Sequence, residues 1–332
     1  MDTRSRAEEC DPISHRPKSA RVHTADTTDS KESDRSGLMQ PLRSSKKTDN
    51  ARHSFKVSSL QRADMLSGFT DVDRSPDPSS YVRYVALTNS QPAFQSSKAC
   101  LHQLLNPKAG DHILDVGCGL GFDSVALAQL VGTTGSVVGI DRSKTMIAEA
   151  RKRAGASGLP VQFHVGDAHH IEYEASLFDA CFIASTLMHI KDPTAALSEI
   201  IRVLRSDGRV VALECDWETL VMGFDNPKLE KRIVTILRRA IRNPGIGHQL
   251  PILFDKFGLR GIGVAAWTLP IFDYVFADQV WRIQETLAQA VRARRMSGSE
   301  ADDAVKALRK ASAAGRFFGA ATAFAVDGTK SS

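Results

Sequence analysis

Residues 113–122 read Ile113-Leu114-Asp115-Val116-Gly117-Cys118-Gly119-Leu120-Gly121-Phe122. A short apolar run ends beside an acidic residue, three glycines follow at alternate positions, and an amphipathic stretch begins at Phe122. This pattern predicts a strand turning sharply into a helix, with bare backbone where the turn meets a ligand at the helix N-terminus. The dinucleotide fingerprint GxGxxG requires a small residue at position 122, which here is Phe122. Asp115 adds a carboxylate that repels phosphates and suits a cation, such as an ammonium or a sulfonium. Together they favour a ligand without a pyrophosphate.

Outward from this turn the same alternation repeats. Strands are predicted over residues 112–116, 136–140, 161–165, 178–184 and 209–213, with helices over 122–131, 143–154 and 192–204 between them. Repeated strand-helix alternation is the pattern of a parallel doubly wound sheet. The helix at 192 is delimited by chemistry: Asp192 caps it, Pro193 suits its first turn, and Leu197, Ile200, Ile201 and Leu204 form one apolar stripe. Upstream, residues 77–105 read as helical with a break near Pro92. Downstream lie a helix over 227–242, a segment 245–257, and strand-like runs 261–267 and 317–326. Between those two runs stand helices over 278–294 and 299–314, the second capped by Ser299 with Asp302. The closing strand pair predicts a mixed sheet with an antiparallel edge strand.

The chain has 332 residues, 42% hydrophobic and 24% charged, values of a globular protein with room for one large domain or two small ones. No apolar run approaches the roughly 18 residues of a membrane span. The net charge is +5, of which roughly +3 falls in the first sixty residues. The remainder is nearly neutral, so nucleic acid is not an expected partner. Cys10, Cys100, Cys118, Cys181 and Cys215 show no metal-ligand spacing and no disulfide framework, which predicts no metal and a reducing, cytoplasmic setting. Residues 1–75 hold no sustained period and read as an unstructured tail, neither a secretory signal nor a transit peptide. A chain beginning near Pro76 is therefore expected to fold and bind its ligand unaided.

In an open parallel sheet, ligands gather beyond the carboxyl ends of the strands. Those ends carry Asp141, then Gly166-Asp167-Ala168, then Ser185-Thr186 with His189 nearby, then Glu214-Cys215-Asp216-Trp217. Asp141 has the position and chemistry to accept from both hydroxyls of a ribose. Asp167 suits an exocyclic adenine amine, with the backbone N–H of Ala168 or His169 for a ring nitrogen. The set describes a nucleoside joined to a charged amino acid.

Residues 113–122, Val138-Gly139-Ile140-Asp141-Arg142, Gly166-Asp167-Ala168, Phe178-Asp179-Ala180 and Glu199-Ile200-Ile201-Arg202-Val203-Leu204 carry a family resemblance. The chain resembles the class I S-adenosylmethionine-dependent methyltransferases, most closely the small-molecule branch that includes ubiquinone and menaquinone biosynthesis enzymes. The resemblance covers roughly residues 81–330. It implies a Rossmann-like α/β fold: a doubly wound, seven-stranded, mostly parallel sheet with an antiparallel last strand, a helical N-terminal lid, and helical insertions after strand 5 and between strands 6 and 7. It implies one domain over 76–330, with a core at 108–216, a substrate lid at 217–257 and a strand pair with its insertion at 258–328. Ser206-Asp207-Gly208 departs from the family's usual Pro-Gly-Gly.

Carried onto this sequence, the resemblance places S-adenosylmethionine against Asp115, Gly117, Cys118, Gly119 and Gly121 by its methionyl part. It places the ribose on Asp141, the adenine beside Arg142 with Asp167 and Ala168 at its edge, and Thr186 close to the transferred methyl. His189 is the candidate general base, because an imidazole takes a proton near neutral pH, and the alternative is a packing histidine. Asp216 is a candidate to orient an acceptor hydroxyl, with Trp217 as a flat wall. Tyr81 and Tyr84 either close over the site or pack, and Arg238, Arg239 and Arg242 read as a solvated helix face. The expected function is methyl transfer to an O, C or N atom of a small, partly apolar molecule. A noncatalytic adenosyl-ligand-binding subunit is the alternative, and a nicotinamide oxidoreductase is disfavoured by Phe122 and Asp115.

Overall fold

The computed structural model describes residues 68–155 and 157–332; residues 1–67, with most of the expected tail and Cys10, lie outside the described residues. A 3-10 segment, Gly68–Arg74, leads into α1 (Pro78–Asn89) and α2 (Pro92–Leu105). The alternation then runs β1 (His112–Val116), α3 (Phe122–Val131), β2 (Ser136–Asp141), α4 (Lys144–Ala154), β3 (Val161–Val165), β4 (Phe178–Ala184), α5 (Pro193–Val203) and β5 (Leu204–Gly223). Helices α6 (Pro227–Arg239) and α7 (Ile246–Lys256) precede β6 (Leu259–Ile271). Helices α8 (Tyr274–Trp281), α9 (Ile283–Arg292) and α10 (Gly298–Ala313) precede β7 (Phe318–Lys330).

One seven-stranded sheet results, ordered β3-β2-β1-β4-β5-β7-β6. Neighbours from β3 to β5 are parallel, whereas β7 runs antiparallel to both β5 and β6. The expected antiparallel last strand is β7, which lies inside the sheet, and β6, paired antiparallel to it, forms the edge. Strand β5 also runs past residue 216, with a register shift between Asp216 and Val221, so Trp217 belongs to the strand rather than to the insertion. The Ser206-Asp207-Gly208 turn is an excursion in β5 that pairs with nothing on β4. Asp207 stands there at φ 61, a conformation short polar side chains tolerate, and it pairs with Arg260.

Apolar periodicity explains how the helices dress the sheet. Leu101 and Leu105 of α2 with Leu127, Ala128 and Val131 of α3 bury one face against Ile113, Phe182, Val211 and Leu213. Leu197 and Ile200 of α5, Ile233 and Leu237 of α6, and Leu250 and Phe254 of α7 bury the other against Leu114, Cys181, Ile183 and Val210. The Asp192 side chain caps α5 by accepting from the Ala195 N–H at 3.0 Å, as expected. The cap of α10 is corrected from Ser299 with Asp302 to Ser297 with Glu300, which form a reciprocal capping box. Ile200→Ala, fully enclosed in the α5 seam, is expected to lower stability by about 2–5 kcal/mol in urea titration, and Ile201→Ala, only half-buried, by clearly less.

Candidate functional site

The glycine turn sits where the ends of β1, β2 and β4 converge. Gly117, at φ 73, stands so close to Thr186 that an added Cβ would fall 2.2 Å from its hydroxyl, so this position excludes every side chain. Gly119 differs: a Cβ there would meet nothing within 4 Å, leaving open space above the loop. Gly121 is bare for a packing reason, since a Cβ would strike the Phe163 ring at 2.6 Å. The Cys118 thiol packs with the Ile147, Ala150 and Phe163 cluster, so this residue offers the loop its backbone. Gly117 and Cys118 donate their N–H groups to the Ile140 carbonyl at 2.8 and 3.0 Å. The Asp141 carboxylate accepts from the N–H groups of Gly119 at 3.0 Å and Ser143 at 2.9 Å, binding the loop to the turn after β2.

Charge is concentrated beneath this loop. Asp115 is buried and accepts from the Ser124 hydroxyl at 2.5 Å; burial, then the neighbouring Asp123 charge, push its carboxyl up to about 7. Asp123 goes the other way: burial opposes ionisation, but His102 at 3.2 Å and Lys98 at 2.6 Å, both on α2, hold it below the ordinary value. The Phe122 ring lies under the Arg153 guanidinium, 3.8 Å from its centroid, while Arg153 Nε donates to the Leu120 carbonyl at 3.1 Å. The residue that breaks the dinucleotide fingerprint thus anchors the loop through a cation-π contact.

At the end of β3, the Asp167 carboxylate accepts from the His169 backbone N–H at 2.9 Å and meets its imidazole at 2.6 Å. The other ring nitrogen of His169 accepts from the Asp192 N–H at 3.2 Å, which fixes the tautomer and links this edge to the start of α5. Burial works to raise the Asp167 pKa, yet these bonds and the nearby Arg142 charge keep it below the ordinary value. Ala168 is half-buried beside it. After β4, the N–H groups of Thr186, Leu187 and Met188 converge on the buried Glu214 carboxylate at 2.9, 2.7 and 3.2 Å. Burial nevertheless outweighs the three bonds and pushes Glu214 up to about 7. Thr186 donates to the Ala184 carbonyl at 3.0 Å, which holds its side chain over Gly117.

The segment Gly68–Arg74, which falls in the expected tail, is a 3-10 segment packed on the domain. Asp73 accepts from the Ser143 hydroxyl at 2.8 Å and from the N–H groups of Lys144 at 2.7 Å and Thr145 at 3.1 Å, capping α4 from outside. Phe69 packs edge-on to Tyr81 at 5.0 Å, touches Tyr84 at 5.8 Å and lies across the His189 ring at 4.9 Å. The strap thus runs from the turn after β4 to the turn after β2. His189 itself is buried, and Tyr84 donates its hydroxyl to the Val280 carbonyl at 2.8 Å, tying the lid to α8.

Asp216 is fully enclosed, and its carboxylate meets the N–H groups of Glu218 at 3.1 Å and His248 at 2.7 Å and the His248 imidazole at 2.6 Å. It orients His248 at the start of α7. Sequence reading missed Phe69, Asp73, Lys98, His102, Asp123 and His248. Of these, only Asp123 carries a local signal, an acid in the first turn of a helix.

The residues present fit an adenosyl amino acid. Open space lies above Gly119, a carboxylate with spare lone pairs stands at the end of β2, and the loop offers buried negative charge rather than the cations a pyrophosphate needs. Comparisons with known proteins agree. A family model for a methyltransferase domain matches residues 107–239. A demethylmenaquinone methyltransferase of Bacillus cytotoxicus is 34% identical over 204 residues, covering 55% of this chain and 85% of that protein. An uncharacterized 37.1 kDa protein in transposon TN4556 of Streptomyces fradiae is 36% identical over 263 residues, 79% of this chain and 74% of that one. Among solved structures, YcgJ of Bacillus subtilis superposes with a TM-score of 0.50 at 20% identity, covering 72% of this chain and 99% of its own. The phosphoethanolamine N-methyltransferase 2 of Haemonchus contortus, in complex with S-adenosyl-L-methionine, gives 0.52 at 20% identity, covering 80% and 60%. Fold and site define a Rossmann-like methyltransferase. The chain belongs to the class I S-adenosylmethionine-dependent methyltransferases and resembles their menaquinone branch.

Asp115 and Glu214 hold a proton more tightly folded than unfolded. The stability each lends is complete below its unfolded pKa, near 4, and is lost as pH rises through about 7. Urea titrations from pH 5 to 8 should show stability falling with pH, by at most about 1.4 kcal/mol per unit for each group, and Asp115→Asn should flatten its share. Asp73→Ala, which removes the outside cap of α4, should lower stability by about 1 kcal/mol and quicken proteolysis near residue 73.

Proposed function

We propose that the enzyme methylates an O, C or N atom of a small, partly apolar acceptor, with a ring of quinol type favoured over polyketide-like or other secondary metabolites. The observation that carries this reading is the Phe69 ring lying across His189, whose N–H donates to the Thr186 carbonyl, with Tyr81 and Tyr84 packed against Phe69. Flat apolar walls with a few polar groups suit a planar, weakly acidic molecule. The name of the Bacillus cytotoxicus relative supports the quinol preference.

S-adenosylmethionine, when bound, supplies a methyl group on a positively charged sulfur. Residues 117–119 would give it bare backbone, Asp141 would accept from its ribose, Asp115 with Gly117 would hold its methionyl part, and Asp167, Ala168 and Arg142 would hold its adenine. Thr186, held over Gly117, fixes where the acceptor meets the methyl. Catalysis then comes chiefly from holding the two reacting atoms about 3 Å apart and in line. His189 takes the proton when the acceptor atom carries one. The methyltransferase domain begins at or before Gly68, because the strap completes its roof. The free cysteines Cys118, Cys181 and Cys215 support a cytoplasmic setting.

Calorimetric titration with S-adenosylmethionine and S-adenosylhomocysteine should give micromolar binding that Asp141→Ala weakens by about tenfold or more. Turnover with reduced demethylmenaquinone should then fall in kcat for His189→Ala with donor affinity retained. Tight donor binding without methylation of any quinol would overturn the acceptor assignment.

A further inference from the structure

A second, unrelated concavity lies between α6 and the turn that follows α9. It encloses about 330 Å3 and is lined by Lys231, Arg232, Thr235, Ile236, Arg239 and Arg295. Lys231, Thr235 and Arg239 recur at i, i+4 and i+8, so α6 turns one continuous edge toward it. Arg295 reaches it from the opposite wall, and two bonds fix that wall. Its N–H donates to the Ala290 carbonyl at 2.8 Å, and its own carbonyl accepts from Arg232 at 3.1 Å.

Four cations thus face one small cavity, and the acids nearby do not answer them. Among the described residues, the charged groups of Lys231, Arg239 and Arg295 make no ion pair or hydrogen bond. Arg232 alone approaches a carboxylate, that of Glu300 at 3.4 Å. Glu300 is already committed to the capping box, accepting from the Ser297 N–H at 2.8 Å. Like charges gathered around one concavity repel, and an anion from outside relieves them. The Thr235 hydroxyl donates to the Lys231 carbonyl at 2.7 Å, and Ile236 adds a small apolar floor.

We propose that this cavity is a binding site for a phosphate-bearing ligand, separate from the methyl-transfer crevice. Two guanidinium groups and an ammonium give planar, paired donors together with a point charge, the combination that recognises a multiply charged phosphate group. Inorganic pyrophosphate is the probe. In calorimetry at low salt, the full chain should bind it at one site with a Kd below about 1 mM. Lys231→Gln/Arg239→Gln/Arg295→Gln should weaken binding by about tenfold or more while the melting temperature and S-adenosylmethionine affinity stay unchanged. Thr235→Glu, which supplies a carboxylate inside the cavity, should compete with the probe in the same way.

Sedimentation with phosphatidylglycerol vesicles, against phosphatidylcholine vesicles, distinguishes the source. Capture that the triple variant loses assigns the phosphate to a lipid headgroup, and pyrophosphate binding without capture assigns it to a soluble molecule. Absence of pyrophosphate binding, or binding that survives the triple variant, overturns the proposal.

Discussion

The site depends on one buried carboxylate. Glu214, midway along β5, collects three successive backbone N–H groups from the turn after β4. A buried turn with unsatisfied donors would be costly, and a buried carboxylate with none would be costlier still, so each makes the other tolerable. This contact sets Thr186 against Gly117 and brings His189 under Phe69. The mouth of the crevice is thereby defined from β5, one strand beyond the two that form it.

The same device recurs along the carboxyl edge of the sheet. Asp141 takes two N–H groups, Asp167 takes an N–H and an imidazole, and Asp216 takes two N–H groups and an imidazole. Carboxylates thus hold the turns after β2, β3 and β4 and the start of α7. Their sum is a negative rim around an open loop, a field that favours a sulfonium over a phosphate. The Lys98 ammonium is spent on Asp123 behind the loop, with the His102 ring beside it.

The local periodicities were readable because each is set by contiguous residues. β1, α3, β3 and β4 fall at the expected residues, and the donor loop follows from its glycines. Features fixed by distant pairing were not. Nothing in residues 317–326 says that β7 inserts between β5 and β6, because register belongs to the partners. The Lys98, His102 and Asp123 cluster and the His248 and Asp216 pair join residues 21 to 32 apart in sequence. The strap has only seven residues, too few to show a period, and its meaning lies in Asp73 reaching a helix some seventy residues on. Ser297 and Ser299 each precede an acid by three, and the longer Glu300 side chain closes the box.

The position of β7 bears on how the chain acquires its shape. Strands β5 and β6 share no hydrogen bonds with each other; both pair with β7, which follows them in sequence. The half of the sheet from β3 to β5 can zip as its strands emerge, each beside one already made, with short loops to close. The other half cannot: β6 has no ladder to join until β7 arrives. Synthesis therefore leaves the 13-residue β6 unpaired while α8 to α10 are being added. The native sheet is closed by its latest strand, a non-local event of the slow kind, and until then an apolar edge stands open to other chains.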